Sequence, residues 1–355
     1  MLNQKRILIS VIIPSYNRAN TVGETIESIV NQNGIGDKYD LEIIIGDDCS
    51  TDNAREVLLQ YKEKYPELIQ LIFHEHNVGL GTNWGTCVVA CKGKYICNCD
   101  NDDYWHNQDK LLLQLDYMET HPNANVLFTD YRDKYRDTGR IVEKKSYIEP
   151  NNDLQKVVWG SRKSGWSNAT AMYRADFMKQ HIDFETWNKR HFTLQDWNAW
   201  LILAAYTQFD VLNVSTATMC VENVSITRPK SVESYAKRLA GDKDVCRYLG
   251  ELFPEKFPFD EEDWDIYANG RLIAKAFDVG DFEAAYRLNK NNSSSISRLK
   301  RFCASRRWAF NLFRYSRALK RWVKERMIDL RKQGSWCVCI PTTNIAPTQH
   351  HRLTL

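Results

Sequence analysis

Residues 7–13 have the sequence ILISVII, and residues 41–47 have LEIIIGD. Both runs are short, apolar and rich in β-branched residues, and both end at turn residues, which is typical of strands buried on two faces of a parallel sheet. Between them, NRANTVGETIESIVNQ (17–32) repeats apolar residues at helical spacing, with Asn20 or Thr21 available as an N-terminal cap. A strand, a helix and a strand in this order predict a βαβ unit.

The same alternation continues through the first hundred residues. Residues 50–66 and 79–91 have helical patterns, and residues 69–75 and 93–100 have strand patterns. Four strands alternating with three helices predict an α/β fold with a doubly wound, mostly parallel central sheet. Ligands of such sheets bind beyond the carboxyl ends of the strands, and polar clusters follow all four predicted strands.

The length and composition are those of a globular protein with more than one compact part. The chain has 355 residues, of which 43% are hydrophobic and 26% charged. We expect a catalytic α/β domain at 1–230, a helical C-terminal region at 231–332 and a disordered tail at 333–355, where periodicity is lost.

A cluster of three aspartates, Asp100, Asp102 and Asp103, follows the fourth predicted strand. Carboxylates this close resist ionising together unless a cation or a row of donors neutralises them. The cluster is therefore either a solvated turn or a site for Mg²⁺ or Mn²⁺, which proteins hold through one or two carboxylates plus substrate phosphates.

Two further acidic positions have both a functional and a structural interpretation. Asp47 and Asp48 end the second strand, where a carboxylate could accept donors from a nucleoside or could simply cap the next helix. Asp196 begins the aromatic helix in LQDWNAWLILAAY (194–206), which suits a general base and equally an N-terminal cap.

The ordered set SVIIPSYNRANTVGETIESIVNQ, EIIIGDDCSTDNA, NVGLGTNWGTCVVACKGKYICNCDNDDYWHNQDKL and LQDWNAW resembles the family 2 inverting glycosyltransferases of GT-A fold. The resemblance covers about residues 7–225 and rests on the set rather than on any one piece. It implies transfer of a sugar from a nucleotide-diphosphate donor, with a UDP-sugar favoured, to an acceptor hydroxyl.

The resemblance also implies roles for individual residues. Asp102 would bind the metal ion and Asp196 would be the catalytic base. The residues implied to bind the nucleotide-sugar are Pro14, Tyr16, Asn17, Asp47, Asp48, Asn83, Asp100 and Asp103.

The chain departs from the family pattern at two positions. Gln195 stands beside Asp196 where many relatives have Glu, so the acidic pair has one member. Glu222 stands near a position where many relatives have His, and a Glu could still bind a hard cation. These departures support an alternative, a catalytically inactive nucleotide-sugar-binding or scaffold protein.

Residues 298–332 carry 13 Lys or Arg and only two acidic residues. Trp308, Leu312, Tyr315, Leu319 and Trp322 recur along one helical face within this basic segment. Such a helix either docks on an anionic membrane or packs on protein, and the first reading suits a lipid-linked acceptor. Nucleic-acid binding is not expected, because the first 225 residues have no basic groove with stacking aromatics.

The location expected from the sequence is cytoplasmic. Ten cysteines lie without a small-domain disulfide framework, and Cys87, Cys91, Cys97 and Cys99 have the spacing of packed core thiols rather than of a zinc site. We expect neither a secretory signal nor a transmembrane span, and we expect peripheral association with the inner face of the cell membrane. The pathway implied is synthesis of a cell-surface polysaccharide, such as capsule or lipopolysaccharide.

Overall fold

The structure is a computed structural model that describes residues 6–147, 166–190, 192, 195–222, 230–291 and 297–317. The chain forms two compact units, Met1–Ala268 and Asn269–Leu355. The basic segment is described as far as residue 317, so Leu319, Trp322 and the predicted tail at 333–355 lie outside the described residues. The domain boundaries expected at 230 and 332 remain predictions.

The first unit begins with the predicted alternation of strands and helices. Its strands are β1 (Ile7–Ser15), β2 (Tyr39–Asp47), β3 (Ile69–Phe73) and β4 (Tyr95–Asn98). The helices between them are α1 (Val22–Val30), α2 (Ala54–Lys64) and α3 (Leu80–Ala90). These strands pair in parallel in the order β3-β2-β1-β4, so their carboxyl ends lie along one edge.

Five further strands extend the sheet beyond β4. They are β5 (Tyr104–Trp105), β6 (Val126–Tyr135), β7 (Ile141–Lys144), β8 (Met172–Arg174) and β9 (Asp210–Val221). The order continues β4-β8-β6-β9-β5, with β7 on β6. Strands β6 and β9 are parallel, whereas β8, β5 and β7 run antiparallel to their neighbours.

The remaining helices of the first unit surround this sheet. They are α4 (Lys110–Thr120), α5 (Ala175–His181), α6 (Phe184–Arg190), α7 (Asp196–Ala204) and α8 (Val232–Leu252). Helix α9 (Glu261–Val279) contains the division between the units, and α10 (Phe282–Asn291), α11 (Arg298–Ala304) and a helical stretch at 307–317 belong to the second. The prediction of a doubly wound α/β fold followed by a helical C-terminal region is confirmed.

Side chains of β1 enter two separate core layers. Ile9, Val11 and Ile13 pack in one layer, and Ile12 packs in the other with Trp84 of α3. All of these side chains are buried, and complete burial of one such side chain contributes about 1.5–3 kcal/mol. Burial on both faces explains why the apolar run of β1 does not alternate with polar residues.

Helix α3 packs close to β2 because residue 46 is glycine. A Cβ at Gly46 would lie 2.2 Å from the Oδ1 of Asn83 and 2.6 Å from the Sγ of Cys87. The cysteines predicted to be core thiols are buried, namely Cys87, Cys91, Cys97 and Cys99. In the part of the chain that the structure describes, no helix combines the length and apolarity needed to cross a membrane.

Candidate active site

The loops after β1 and β2 are joined through Asn17. Its backbone has a φ of 51°, in the left-handed region. Its Oδ1 accepts a hydrogen bond of 2.7 Å from the N–H of Thr51, and its own N–H donates one of 2.9 Å to the Oγ of Ser50. Beside it, Pro14 is buried at the end of β1 and Tyr16 is 45% exposed at the crevice. The geometry therefore leaves an exposed aromatic ring beside a rigid turn.

The carboxylate of Asp48 is used to hold the chain that follows β3. Its Oδ1 accepts a hydrogen bond of 2.6 Å from the N–H of Val78, and its Oδ2 accepts one of 3.0 Å from the N–H of Gly79. Gly79 has a φ of 85°, a conformation that favours glycine. Asp48 thus has a structural contact at each oxygen before any ligand binds.

Asp47 and Asn83 lie inside the protein behind this edge. The Oδ2 of Asp47 accepts hydrogen bonds from the Nε of Arg55 at 2.6 Å and the N–H of Ser50 at 3.1 Å. The Nδ2 of Asn83 donates to the carbonyl of Gly46 at 2.8 Å. Both side chains are buried, so the structure gives each an internal contact, and their donor-binding roles remain predictions.

Helix α1 and strand β9 hold the loop at 99–103 that carries the aspartate cluster. Thr21 precedes α1, but its hydroxyl does not cap the helix and donates instead to the carbonyl of Asn101 at 2.8 Å. The hydroxyl of Thr25 donates to the carbonyl of Asp103 at 2.7 Å. The Oδ1 of Asp103 accepts a hydrogen bond of 2.8 Å from the N–H of Cys220. Asp103 is buried and links the loop to β9.

Asp100 connects the loop to the start of α7. Its Oδ1 accepts hydrogen bonds from the Nδ2 of Asn168 at 2.9 Å and the Nε2 of Gln195 at 3.4 Å. Burial, and next the charge of Asp196, raises the pKa of Asp100 to about 7. The structure therefore brings together the aspartate cluster and the residue predicted to be the base, although they lie far apart in the sequence.

Asp196 is the first residue of α7. Its Oδ1 accepts a hydrogen bond of 2.6 Å from the N–H of Trp197. Burial raises the pKa of Asp196, against a smaller opposing effect of that hydrogen bond. A carboxylate whose pKa is raised takes up a proton more readily than an ordinary surface aspartate.

Asp102 is the member of the cluster that faces basic side chains. The Nη2 of Arg18 lies 3.3 Å from the Oδ2 of Asp102 and 3.6 Å from the Oε2 of Glu222. Arg136 donates from Nη2 to the carbonyl of Asp102 at 2.9 Å, and its Nε lies 3.9 Å from the Oε1 of Glu222. Burial raises the pKa of Asp102 even though the charge of Arg18 lowers it.

The carboxylates of Asp102 and Glu222 have the right chemistry for Mg²⁺ or Mn²⁺. Both are hard oxygen donors, and both approach the same nitrogen of Arg18. Among the described residues, no group of three or more His, Cys, Asp or Glu side chains could hold a metal ion. The donor set therefore fits an ion that takes its other ligands from phosphate oxygens and water, and the metal-binding role of Asp102 remains a prediction.

Sequence reasoning did not select Arg18, Arg136 or Asn168. Arg18 directly follows PSYN, the stretch that the resemblance assigns to the nucleotide, and this position was a usable signal. No signal in the sequence points to Arg136 or Asn168, because these residues reach the site only through the pairing of distant strands.

Residues 10–182 match the family model described as glycosyl transferase family 2. TuaG of Bacillus subtilis (strain 168), described as a teichuronic acid biosynthesis glycosyltransferase, is 39% identical over 111 residues, which are 31% of this chain and 42% of TuaG. The poly(ribitol-phosphate) beta-glucosyltransferase of Bacillus spizizenii is 36% identical over 150 residues, which are 42% of this chain and 22% of the relative. The chain thus spans less than half the length of these curated relatives.

A structure of residues 1–349 of S. aureus TarS in complex with UDP-GlcNAc has a TM-score of 0.48 to this chain, at 18% identity over 93% of both chains. The family match covers β1 to β4 and their polar carboxyl ends, where the crevice lies. The match of residues 10–182 to the model of glycosyl transferase family 2 confirms the resemblance inferred from the sequence motifs.

Proposed function

We propose that this protein is an inverting, metal-dependent glycosyltransferase that moves a sugar from a nucleotide-diphosphate sugar to an acceptor hydroxyl. The observation that carries the proposal is the placement of Asp196 beside Asp100, on the crevice that also holds Asp102. The two named relatives, one of teichuronic acid biosynthesis and one acting on poly(ribitol-phosphate), support a cell-surface polymer as the acceptor.

Asp196 acts as the general base in this proposal. Burial raises its pKa, which makes the carboxylate a stronger base than an exposed aspartate. The acceptor oxygen then attacks the anomeric carbon on the face opposite the departing diphosphate, and the configuration inverts. The N-terminal position of Asp196 in α7 stabilises its charged form between turnovers.

The donor nucleotide lies along the carboxyl ends of β1, β2 and β4. The exposed ring of Tyr16 offers a stacking surface for the base. Each carboxylate oxygen of Asp48 accepts one backbone donor and keeps a lone pair for the N3–H of a uracil, so a UDP-sugar is the favoured donor. The proposed donor-binding residues are Pro14, Tyr16, Asn17, Asp47, Asp48, Asn83, Asp100 and Asp103.

Asp102 is the proposed ligand of the divalent cation. When bound, Mg²⁺ or Mn²⁺ would neutralise charge that develops on the diphosphate as it leaves. Asp102 holds a carboxylate at the crevice for this purpose, and its side chain remains 24% exposed.

The test is a thermal-shift and calorimetric panel of UDP, GDP, dTDP and CMP, each with and without Mn²⁺. A ligand that binds only the folded state raises the melting temperature by mass action. We expect one diphosphate to bind in a manganese-dependent way and Asp102→Ala to lose that dependence. If no nucleotide binds under any condition, the proposal fails at its first step.

The second unit supports peripheral association with an anionic membrane, where a lipid-linked acceptor would lie. Large apolar side chains are exposed along α11 and 307–317, whereas Phe310 of the same stretch is buried. Basic residues surround them, and each Lys or Arg near an anionic surface contributes about 1 kcal/mol. The exposed apolar set is Leu299, Phe302, Trp308, Leu312 and Tyr315.

Vesicle sedimentation tests this association. We expect the protein to bind vesicles that contain anionic lipid and not neutral ones, and Trp308→Ser with Leu312→Ser to weaken the binding about tenfold or more. Leu59→Ser, at an exposed apolar position of α2, is the matched control. Equal binding by the double variant and the wild type would contradict the proposed surface.

A further inference from the structure

Arg18 and Arg136 are incompletely satisfied by the carboxylates that they face. Arg18 contacts Asp102 and Glu222 at 3.3 and 3.6 Å, and no hydrogen bond from its side chain is present among the described residues. Arg136 makes one hydrogen bond, to the carbonyl of Asp102, and approaches Glu222 only to 3.9 Å. A guanidinium group has five N–H donors, so most donors of this pair have no acceptor among the described residues.

Backbone hydrogen bonds hold both arginines in place. The carbonyl of Arg18 accepts hydrogen bonds from the N–H groups of Thr21 at 3.1 Å and Val22 at 3.0 Å, at the start of α1. The N–H of Arg136 donates to the carbonyl of Val221 at 3.1 Å, at the end of β9. The two guanidinium groups therefore reach Asp102 from separate, anchored elements.

We propose that Arg18 and Arg136 form a clamp for the diphosphate of the donor, and that Asp102 and Glu222 neutralise this clamp until donor and cation bind. The inference rests on the proposed function and extends it to the diphosphate. With the donor bound, the guanidinium groups exchange their carboxylate contacts for phosphate oxygens, and the carboxylate of Asp102 would hold the divalent cation.

The exchange is favourable on general grounds. Partly exposed ion pairs at these distances contribute little to stability, because water screens them. Arginine and phosphate form short, charge-assisted hydrogen bonds, often two at a time, and these are roughly twice as strong as neutral ones. Glu222 contributes by keeping both guanidinium groups directed at the crevice while it is empty.

The clamp makes an unusual prediction, since Arg18 affects the metal and the nucleotide in opposite directions. In the absence of nucleotide, its charge competes with a divalent cation for Asp102, so Arg18→Gln should tighten binding of Mn²⁺ about threefold. In the presence of Mn²⁺, the same variant should bind UDP about tenfold more weakly, because phosphate contacts are lost. A variant that merely folds poorly would weaken both.

The experiment measures Mn²⁺ binding by electron paramagnetic resonance of the free ion, and binding of UDP, GDP and dTDP with Mn²⁺ by calorimetry. The proteins are the full chain and its Arg18→Gln, Arg136→Gln and Arg140→Gln variants. Arg140 is the matched control, because it lies near Arg136 in the chain and its guanidinium stacks on Tyr135 at 4.3 Å. We expect it to bind Mn²⁺ and nucleotide as the wild type does.

The results that would contradict the clamp differ from those that would contradict the proposed function. Wild-type affinity for the diphosphate in both Arg18→Gln and Arg136→Gln would overturn the clamp and leave the proposed function in place. Weaker Mn²⁺ binding in Arg18→Gln would also overturn it. If the wild type binds none of the three diphosphates, the proposed function is wrong and the clamp fails with it.

Discussion

Two pairs of aspartates, at the carboxyl ends of β2 and β4, have different surroundings. Asp47 and Asp48, after β2, accept short hydrogen bonds from backbone N–H groups and from Arg55. Asp100, after β4, is held by two side-chain amides, and Asp102 has one longer ion pair, with Arg18; burial raises the pKa of both aspartates.

The difference is that the first pair joins neighbouring segments of the fold, whereas Asp102 of the second pair lies at the crevice with its side chain 24% exposed. The first pair accepts hydrogen bonds from the protein itself, although the Oδ1 of Asp47 has no hydrogen-bond partner among the described residues. Burial raises the pKa of both carboxyl groups of the second pair, and in the proposed function a divalent cation would stabilise their charged forms. The two pairs look alike in the sequence, and their surroundings alone distinguish them.

Asp196→Asn should have the largest effect, because it removes the proposed base and leaves the crevice intact. We expect kcat to fall about 10²–10⁴-fold, as for loss of a general base. UDP affinity should change less than about twofold. The rate is measured as release of UDP from a UDP-sugar in the presence of a cell-wall polymer acceptor. The affinity for UDP is measured by calorimetry.

The control for this variant is Asp210→Asn, at the first residue of β9, where the carboxylate accepts a hydrogen bond from Tyr117. It should keep the wild-type rate. A wild-type rate in Asp196→Asn would exclude Asp196 as the base.

Asp48→Ala should lower the free energy of unfolding by about 3 kcal/mol, since the N–H groups of Val78 and Gly79 lose a charged acceptor. Urea denaturation measures the change. Asp37→Ala, at an exposed turn position, is the control and should stay within about 0.5 kcal/mol of the wild type. An equally small change in Asp48→Ala would remove the contrast between the two pairs.

The free energy of unfolding in EDTA should fall as the pH rises from about 4 to about 7. Asp100 has a pKa of about 7 in the folded protein, so the folded state binds its proton more tightly than the unfolded state in this window. The slope for one proton is at most about 1.4 kcal/mol per pH unit. Asp100→Asn should make the unfolding free energy less dependent on pH in this window. If the dependence is the same in this variant as in the wild type, groups other than Asp100 cause it.

Asp102→Asn should have the smallest effect, with a change in unfolding free energy below about 1 kcal/mol, because its ion pair with Arg18 is long and partly exposed. Urea denaturation of Asp102→Asn and Asp48→Ala under the same conditions compares their losses of unfolding free energy directly. A loss as large as that of Asp48→Ala would show that Asp102 holds the fold as well.

The sequence predicts best those elements whose conformation depends on residues that are close in the chain. The apolar run of β1 is buried on both faces, and its length and β-branched content identify it without knowledge of any partner strand. The aspartates of the 99–103 loop were placed correctly at the carboxyl end of β4 for the same reason. Such features depend on neighbours a few residues away.

The side chains that surround those aspartates could not be predicted in this way. The parallel pairing of β6 with β9 brings Arg136 next to Val221, and with it close to Glu222. Thr21 is one of two candidate N-terminal caps of α1 in the sequence, but its hydroxyl donates to the carbonyl of Asn101, which lies 80 residues further along the chain. Which group neutralises a buried charge is decided by packing between distant segments.

The long-range hydrogen bonds of the 99–103 loop have a consequence for folding. Thr21 and Asn101 are 80 residues apart, and Asp103 and Cys220 are 117 apart. Contacts of such sequence separation form slowly, because a long loop must close before they are gained. The crevice is therefore expected to assemble late, after β9 has joined the sheet, and nucleotide binding during refolding would report completion of this unit rather than its early collapse.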